Sequence, residues 1–221
     1  MIARELISNT FPTLNCSDTG KKALNIMESF RVSHISLVRD KEYMGLISDK
    51  DIYDLNLNKC CMSETSLTLI RPYILSNQHI FEVIQKMQEF KLTVLPVLEL
   101  NLEYCGSILL YELSEKFLEL VAVPEPGAII VLELNQNDYS LSQISQIIES
   151  NGAKILSLYT NNRENSMIMD VTIKINMTDI SSIIQTFVRY DYTIKAVYMD
   201  NSLVTEMYNE RYELFMNYLN I

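Results

Sequence analysis

Gly45-Leu46-Ile47-Ser48-Asp49-Lys50-Asp51, followed by Ile52, is the stretch whose reading decides the fold. It reads as a glycine turn, a short buried strand and a polar step into a helix. Ser48 and Asp51 stand three apart across that step, a spacing that lets both side chains face one small ligand. Just upstream, His34-Ile35-Ser36-Leu37-Val38 reads as a second short strand, joined through the charged turn Arg39-Asp40-Lys41-Glu42. Ahead of that, Ala23, Met27 and Phe30 recur at helical spacing. The order is helix, strand, charged hairpin, Gly-led strand, then Ser-x-x-Asp into a helix.

The same order returns further along. Ala23, Met27 and Phe30 are matched by Val83, Met87 and Phe90, an offset of 60, and Gly45 is matched by Gly106, an offset of 61. The extra residue falls in a hairpin loop, where insertions cost little. Ser17-Asp18 and Ser76-Asn77 precede the two helices and are candidates to cap them. Each small unit leaves a sheet face exposed, and packing the two copies together buries both. The copies differ at the polar step. Aligned on glycine, Ser48 becomes Leu109, which has no hydrogen-bonding side chain, and Asp51 becomes Glu112, one methylene longer. A ligand site therefore belongs with the first copy, and the second, with Pro96 in its strand, reads as structural.

Composition narrows the function classes. The 221 residues are 48% apolar and 21% charged, ordinary for a globular chain with a real core. A formal net charge of −10, with no local Lys/Arg cluster, disfavours nucleic acid and anionic membrane surfaces, yet leaves room for a single nucleotide. No segment approaches a membrane span, and the N-terminus, with Arg4 and Glu5 among apolar residues, reads as a short amphipathic helix over residues 2–8 and not as a signal peptide. Cytoplasmic residence is the default. Cys16, Cys60, Cys61 and Cys105 form no C-x-x-C pair, and with only His34 and His79 a zinc site lacks ligands at suitable spacing. No P-loop, nucleophile elbow or His-x-x-x-His pattern appears, so no enzyme activity and no cofactor are expected.

The repeat, with its Gly-x-x-Ser-x-x-Asp step, resembles the CBS domain, a module that often binds adenine nucleotides. The resemblance covers residues 1–121, with a first repeat at about 1–60 and a second at about 61–121. It implies an α+β fold of tandem β-α-β-β-α units. It also implies a ligand such as AMP, ADP, ATP or another adenosyl compound. In that reading Asp51 accepts from both ribose hydroxyls and Ser48 bonds ribose or phosphate. Thr13, Ile35 and Ile47, with Phe11, wall the adenine. His34 stands where family members often place a basic residue toward phosphate, with Arg31, Lys50 and Arg71 as weaker candidates. The residues themselves leave a second reading open, in which Ser48 and Asp51 cap the helix that follows.

Val121-Ala122-Val123-Pro124-Glu125-Pro126-Gly127 marks the boundary, since two prolines and a glycine stop a helix and favour an extended connector over residues 122–127. Beyond it, residues 128–134, 153–159, 167–175 and 193–199 read as strands, and 140–150 and 179–190 as helices. This β-α-β-β-α-β order is the ferredoxin-like split arrangement. After tandem CBS repeats it resembles an ACT domain, over residues 128–221 with a terminal helix at 202–221. Proteins of the acetoin-utilisation CBS–ACT type share this layout. The resemblance implies a homodimer and, in some ACT domains, an amino-acid ligand; the loop at residues 135–139 lacks the glycine that such sites commonly carry. The sequence thus points to a non-catalytic regulatory protein, with a ligand-free interaction scaffold, or a sensor whose ligand sits in the ACT-like half, as the alternatives.

Overall fold

The computed structural model describes residues 1–55, 69–163 and 166–199. The terminal helix expected at 202–221 and the vicinal Cys60 and Cys61 lie outside the described residues. The chain divides into two compact units, Met1–Phe117 and Leu118–Ile221. No helix among the described residues is long and apolar enough to cross a membrane.

The first copy in the N-terminal unit comprises β1 (Leu14–Asn15), α1 (Gly20–Phe30), β2 (His34–Arg39), β3 (Glu42–Ser48) and α2 (Asp49–Asp54). The second comprises β4 (Ile74–Leu75), α3 (Ile80–Glu89), β5 (Val94–Leu98), β6 (Tyr104–Leu109) and α4 (Leu110–Leu120). Each copy forms a three-stranded sheet, β1-β2-β3 and β4-β5-β6, with the first pair parallel and the second antiparallel. The helix starts differ from the sequence expectation. Thr19 and His79 are the N-caps, accepting from Lys22 and Phe81. Asp18 instead closes its own turn on the Asn15 N–H, and the Ser76 hydroxyl donates to Glu99. Both α1 and α3 stop where a basic residue takes left-handed backbone, Arg31 at φ 52° and Lys91 at φ 53°.

Neither copy is closed by its own chain. The N-terminal residues form a 3-10 turn at Ala3–Leu6, whose first N–H groups, on Ala3 and Arg4, donate to the Gln78 and Ser76 carbonyls of the second copy; the longer helix expected stops there because the Ser8 N–H is taken by Ser107. Ser8 then donates to Ser107 on β6, while Leu46 on β3 donates to Ile70 in the lead of the second copy. The leads are thus exchanged. Each passes over the glycine that begins the inner half of the hairpin strand. A Cβ on Gly45 would lie 2.6 Å from Leu69 Cβ, and one on Gly106 would lie 2.3 Å from Ile7 Cγ2. Only hydrogen fits at either place. Beside both glycines the hairpin register slips, between Leu37 and Val38 and between Val97 and Leu98. The cores are exchanged as well: Val94 and Leu109 lie in the first copy's core, and Ala3, Leu6 and Leu46 in the second's.

In the C-terminal unit, β7 (Ala128–Asn135), α5 (Leu141–Ser150), β8 (Ile155–Asn162), β9 (Ile168–Ile175), α6 (Ser181–Arg189) and β10 (Thr193–Tyr198) build an antiparallel sheet of order β10-β7-β9-β8. Alternation along β7 sends Ala128, Ile130, Leu132 and Leu134 into a core shared with Ile144, Ile148, Ile183 and Phe187 of the helices. The other face carries a charge ladder, in which Arg163 binds Glu133 and Asp170, and Lys195 binds Asp170. Those cations hold the Asp170 carboxyl below its usual range. The proline segment before β7 is a set of turns and not the extended connector expected from its composition. Val123 and Glu125 donate back to Leu118 and Ala122, and the Val123 carbonyl accepts from the Lys174 ammonium at 2.8 Å.

Gly106→Ala tests the lead exchange. Forcing a methyl into that contact is expected to cost about 1–3 kcal/mol in urea unfolding, the usual range for overpacking. Adding Ile7→Ala, which removes the opposing branch, should recover part of that loss; a loss unchanged by the second substitution would contradict the contact.

Candidate functional site

The site is organised where β2 and β3 meet the start of α2. Register places His34 opposite Ser48 and Ile35 opposite Ile47. At the polar step Ser48 is the N-cap of α2, and its hydroxyl oxygen accepts from the Asp51 N–H at 3.1 Å. The Asp51 carboxylate returns the contact, its Oδ2 accepting from the Ser48 N–H at 2.9 Å and from the Ser48 hydroxyl at 2.7 Å. This is a reciprocal capping box closed by an Asp. Among the described residues no donor is bonded to Oδ1. Cap and ligand-facing carboxylate are therefore compatible roles for Asp51, since one oxygen serves the cap.

His34 is half-buried at the junction of the two copies, and its partner comes from the second copy. Thr93 Oγ1 accepts from the Ser33 N–H at 3.0 Å and lies 3.0 Å from His34 Nδ1, to which the Thr93 N–H also donates at 3.3 Å. With its lone pairs facing Ser33, the Thr93 hydroxyl gives its proton to Nδ1. That network assigns the neutral tautomer with the proton on Nε2. Burial pulls the His34 pKa down, and the Asp49 and Asp51 carboxylates oppose the shift. Sequence reasoning missed Thr93, though a signal existed: it is the copy of Ser33 at the repeat offset of 60.

The other candidates are placed as follows. Thr13 is exposed in the lead of β1, and Phe11 is half-buried with its ring on Phe30. Ile35 and Ile47 are both 0% exposed within the first copy's core, so as placed they present no surface to a ligand. Arg31 and Lys50 are exposed, and Arg71 belongs to the lead of the second copy. At the equivalent step of that copy, Leu109 is core, and Glu112 accepts from the Ser8 hydroxyl at 2.9 Å and from Tyr111 at 3.1 Å. Between the sheets a polar trio is buried, with the Ser107 hydroxyl 2.8 Å from that of Ser36 and 2.9 Å from that of Tyr104. Burial pushes the Cys105 thiol up to about 11, which removes it as a nucleophile near neutrality. Among the described residues no group of His, Cys, Asp and Glu is arranged to hold a metal ion.

Residues 3–57 match the CBS domain family model, which takes in Thr13, His34, Ile35, Ile47, Ser48 and Asp51. Similar solved structures include a CBS domain pair/ACT domain protein from Thermotoga maritima, at 20% identity over 54% of this chain and 98% of that one, with a TM-score of 0.46. Another is CBSX2 in complex with AMP, at 14% identity over 53% of this chain and 96% of that one, TM-score 0.45. A third is the CBS domain of a bacterial CNNM/CorC family Mg2+ transporter in complex with ATP, at 16% identity over 53% and 87%, TM-score 0.43.

The His34 geometry sets a pH dependence. A folded state that prefers neutral imidazole binds fewer protons than the unfolded chain once pH drops below the ordinary value of 6.5. Its contribution to stability is intact above that pH and is lost progressively below it, until the folded group protonates too. His34→Asn, which keeps an acceptor near Nδ1, is expected to flatten the fall in urea-unfolding stability between pH 7 and 5. Equal slopes for the two proteins would contradict the neutral His34–Thr93 contact.

Proposed function

We propose that the chain is a non-catalytic regulatory protein whose first repeat binds an adenine nucleotide or related adenosyl ligand. The observation that supports this reading is the convergence of His34, Ser48 and Asp51 at one end of β2 and β3, inside the segment that matches the CBS domain model. A ribose diol donates to Asp51 Oδ1 while Oδ2 keeps the cap, and a charged hydrogen bond of this kind contributes about 1.5–3 kcal/mol. In this reading Thr13, exposed in the β1 lead, and Ile35 and Ile47, both in the core, wall the adenine, and a ring reaching Ile35 and Ile47 has to displace neighbouring side chains. AMP and ATP are the ligands named in two of the similar structures, and an adenosyl ligand here is consistent with them.

In this reading residues 1–121 are a tandem CBS module, 122–127 a linker and 128–221 an ACT-like domain. The sheet order of the C-terminal unit fits the ferredoxin-like arrangement of ACT domains. Its open face, with half-buried Ile129 and Val131 beside the charge ladder, supports a homodimerisation or relay role. A ligand regulates such a protein by binding one conformation better than another.

The test is thermal unfolding with AMP, ADP and ATP. At a concentration near one hundred times Kd, a ligand is expected to add about 2.7 kcal/mol of stability. Asp51→Ala should lower stability without ligand by about 0.5–2 kcal/mol through the lost cap, and should abolish the nucleotide-dependent rise. If the variant loses the cap energy but keeps the full rise, Asp51 is a structural cap and the ligand assignment fails.

A further inference from the structure

The two copies differ on the outer side of their first helices, at positions away from the polar step. In the first copy the lead before β1 brings Phe11 onto Phe30 at the end of α1, ring centroids 5.1 Å apart and nearly perpendicular. Ile26 joins them, and all three pack against the core. Sixty positions on, the same places hold Arg71, Phe90 and Lys86. The register of the leads is conserved, since Leu14 pairs with Leu37 and Ile74 with Val97. The substitution of Arg71 for Phe11 leaves Phe90 uncovered, 41% exposed, and opens a cavity of about 480 Å3 lined by Ile70, Arg71, Tyr73, Gln78, Lys86 and Phe90 among others.

This cavity joins two cations to two aromatic rings. Among the described residues neither Arg71 nor Lys86 makes an ion pair or side-chain hydrogen bond, in a chain of net charge −10. Glu82, one turn before Lys86, accepts from the His79 N–H and the Gln78 amide, and these bonds, helped by the Lys86 charge, hold its carboxyl below its usual range; Lys86 borders both this cavity and the adjoining groove of Glu82 and Glu89. The cavity wall is also fixed in position. The Tyr43 hydroxyl holds the Pro72 carbonyl at 3.0 Å, and the Gln78 side chain accepts from the Leu75 N–H at 2.7 Å. Cations beside exposed rings recognise an oxyanion and a flat apolar group together: guanidinium binds phosphate through paired N–H donors, and the rings stack.

We propose that this cavity of the second copy is a binding site for a phosphate monoester carrying a planar ring, with the phosphate between Arg71 and Lys86 and the ring against Tyr73 and Phe90. It draws Arg71, a weaker phosphate candidate in the first-repeat reading, into a separate site, contains none of His34, Ser48 and Asp51, and does not depend on the first-repeat site being occupied.

The test is calorimetric titration of the full chain with phenyl phosphate, and with inorganic phosphate and phenol as its halves. Phenyl phosphate is expected to bind at least tenfold more tightly than either half. Arg71→Phe and Lys86→Ile install the residues that the first copy uses at the same places, so both should fold, as circular dichroism can verify. Each is expected to weaken phenyl phosphate at least tenfold, while Asp51→Ala leaves it unchanged. The proposal is overturned by any of three results: no binding to the wild type, binding no tighter than inorganic phosphate, or affinity retained in both cavity variants. Loss of binding in Asp51→Ala would overturn it as well, by assigning the ligand to the first-repeat site.

Discussion

Each three-stranded sheet of the N-terminal unit completes its core with residues of the other copy, and that constraint organises the unit. A sheet this small buries too little apolar surface to offset the conformational entropy of its chain. The two copies meet the deficit by exchange. Val94 and Leu109 fill the first core, Leu46 fills the second, and the lead of each copy crosses to the other's hairpin. The leads approach so closely that residues 45 and 106 have no room for a side chain. The paired glycines therefore answer two constraints at once, close packing between the copies and a positive φ of 150° and 159°. Buried polar groups add directionality. The Ser36–Ser107–Tyr104 trio and the His34–Thr93 contact are satisfied only when the copies are in register, and a slip would leave each group unpaired in a dry interior.

Within this near-symmetric frame, the two copies depart from symmetry at two places. The first copy keeps Ser48 and Asp51 as a capping pair with one carboxylate oxygen to spare. The second has turned the equivalent step into core at Leu109 and a structural anchor at Glu112, which holds Ser8 of the exchanged lead. On the outer helices the asymmetry runs the other way. The first copy closes its surface with Phe11, Ile26 and Phe30, whereas the second opens it with Arg71, Lys86 and an uncovered Phe90. The two copies thus differ in side chains at both places while sharing one backbone plan.

The C-terminal unit solves its burial problem differently, with two helices on one face of a four-stranded sheet. Alternation along β7 and β9 separates a fully apolar inner face from an outer face of charge and half-buried residues. Glu133 and Asp170 sit side by side on the central strands β7 and β9, flanked by Lys195 on β10 and by Arg163 just past the end of β8. Exposed pairs of this sort contribute little individually; their main effect is to set the polarity of the face.

Much of the element order was legible in the residues. Helical spacing at Ala23, Met27 and Phe30, and again at Val83, Met87 and Phe90, gave α1 and α3, because a 3.6-residue period records which side of a helix is buried. The strand alternation of residues 128–134 revealed β7 for the corresponding reason at period two. The capping box was also present in the Ser48–Asp51 spacing, as one of two readings that local chemistry leaves open. Other features depended on contacts distant in sequence. The N-terminal helix expected from amphipathicity became a 3-10 turn, its Ser8 N–H going to Ser107 of the second copy; the expected cap at Ser76 gave way to His79 as Ser76 turned to Glu99, whereas Asp18 was drawn into a local turn with Asn15 and left the cap to Thr19. That Thr93 faces His34, and that Arg71 leaves Phe90 bare, follows only from how the two copies are laid together. Sequence determined periodicity, repeat and local caps, since these are written by neighbours along the chain. The tertiary structure decided partners across the repeat, because burial and hydrogen bonding are settled by which groups meet in space.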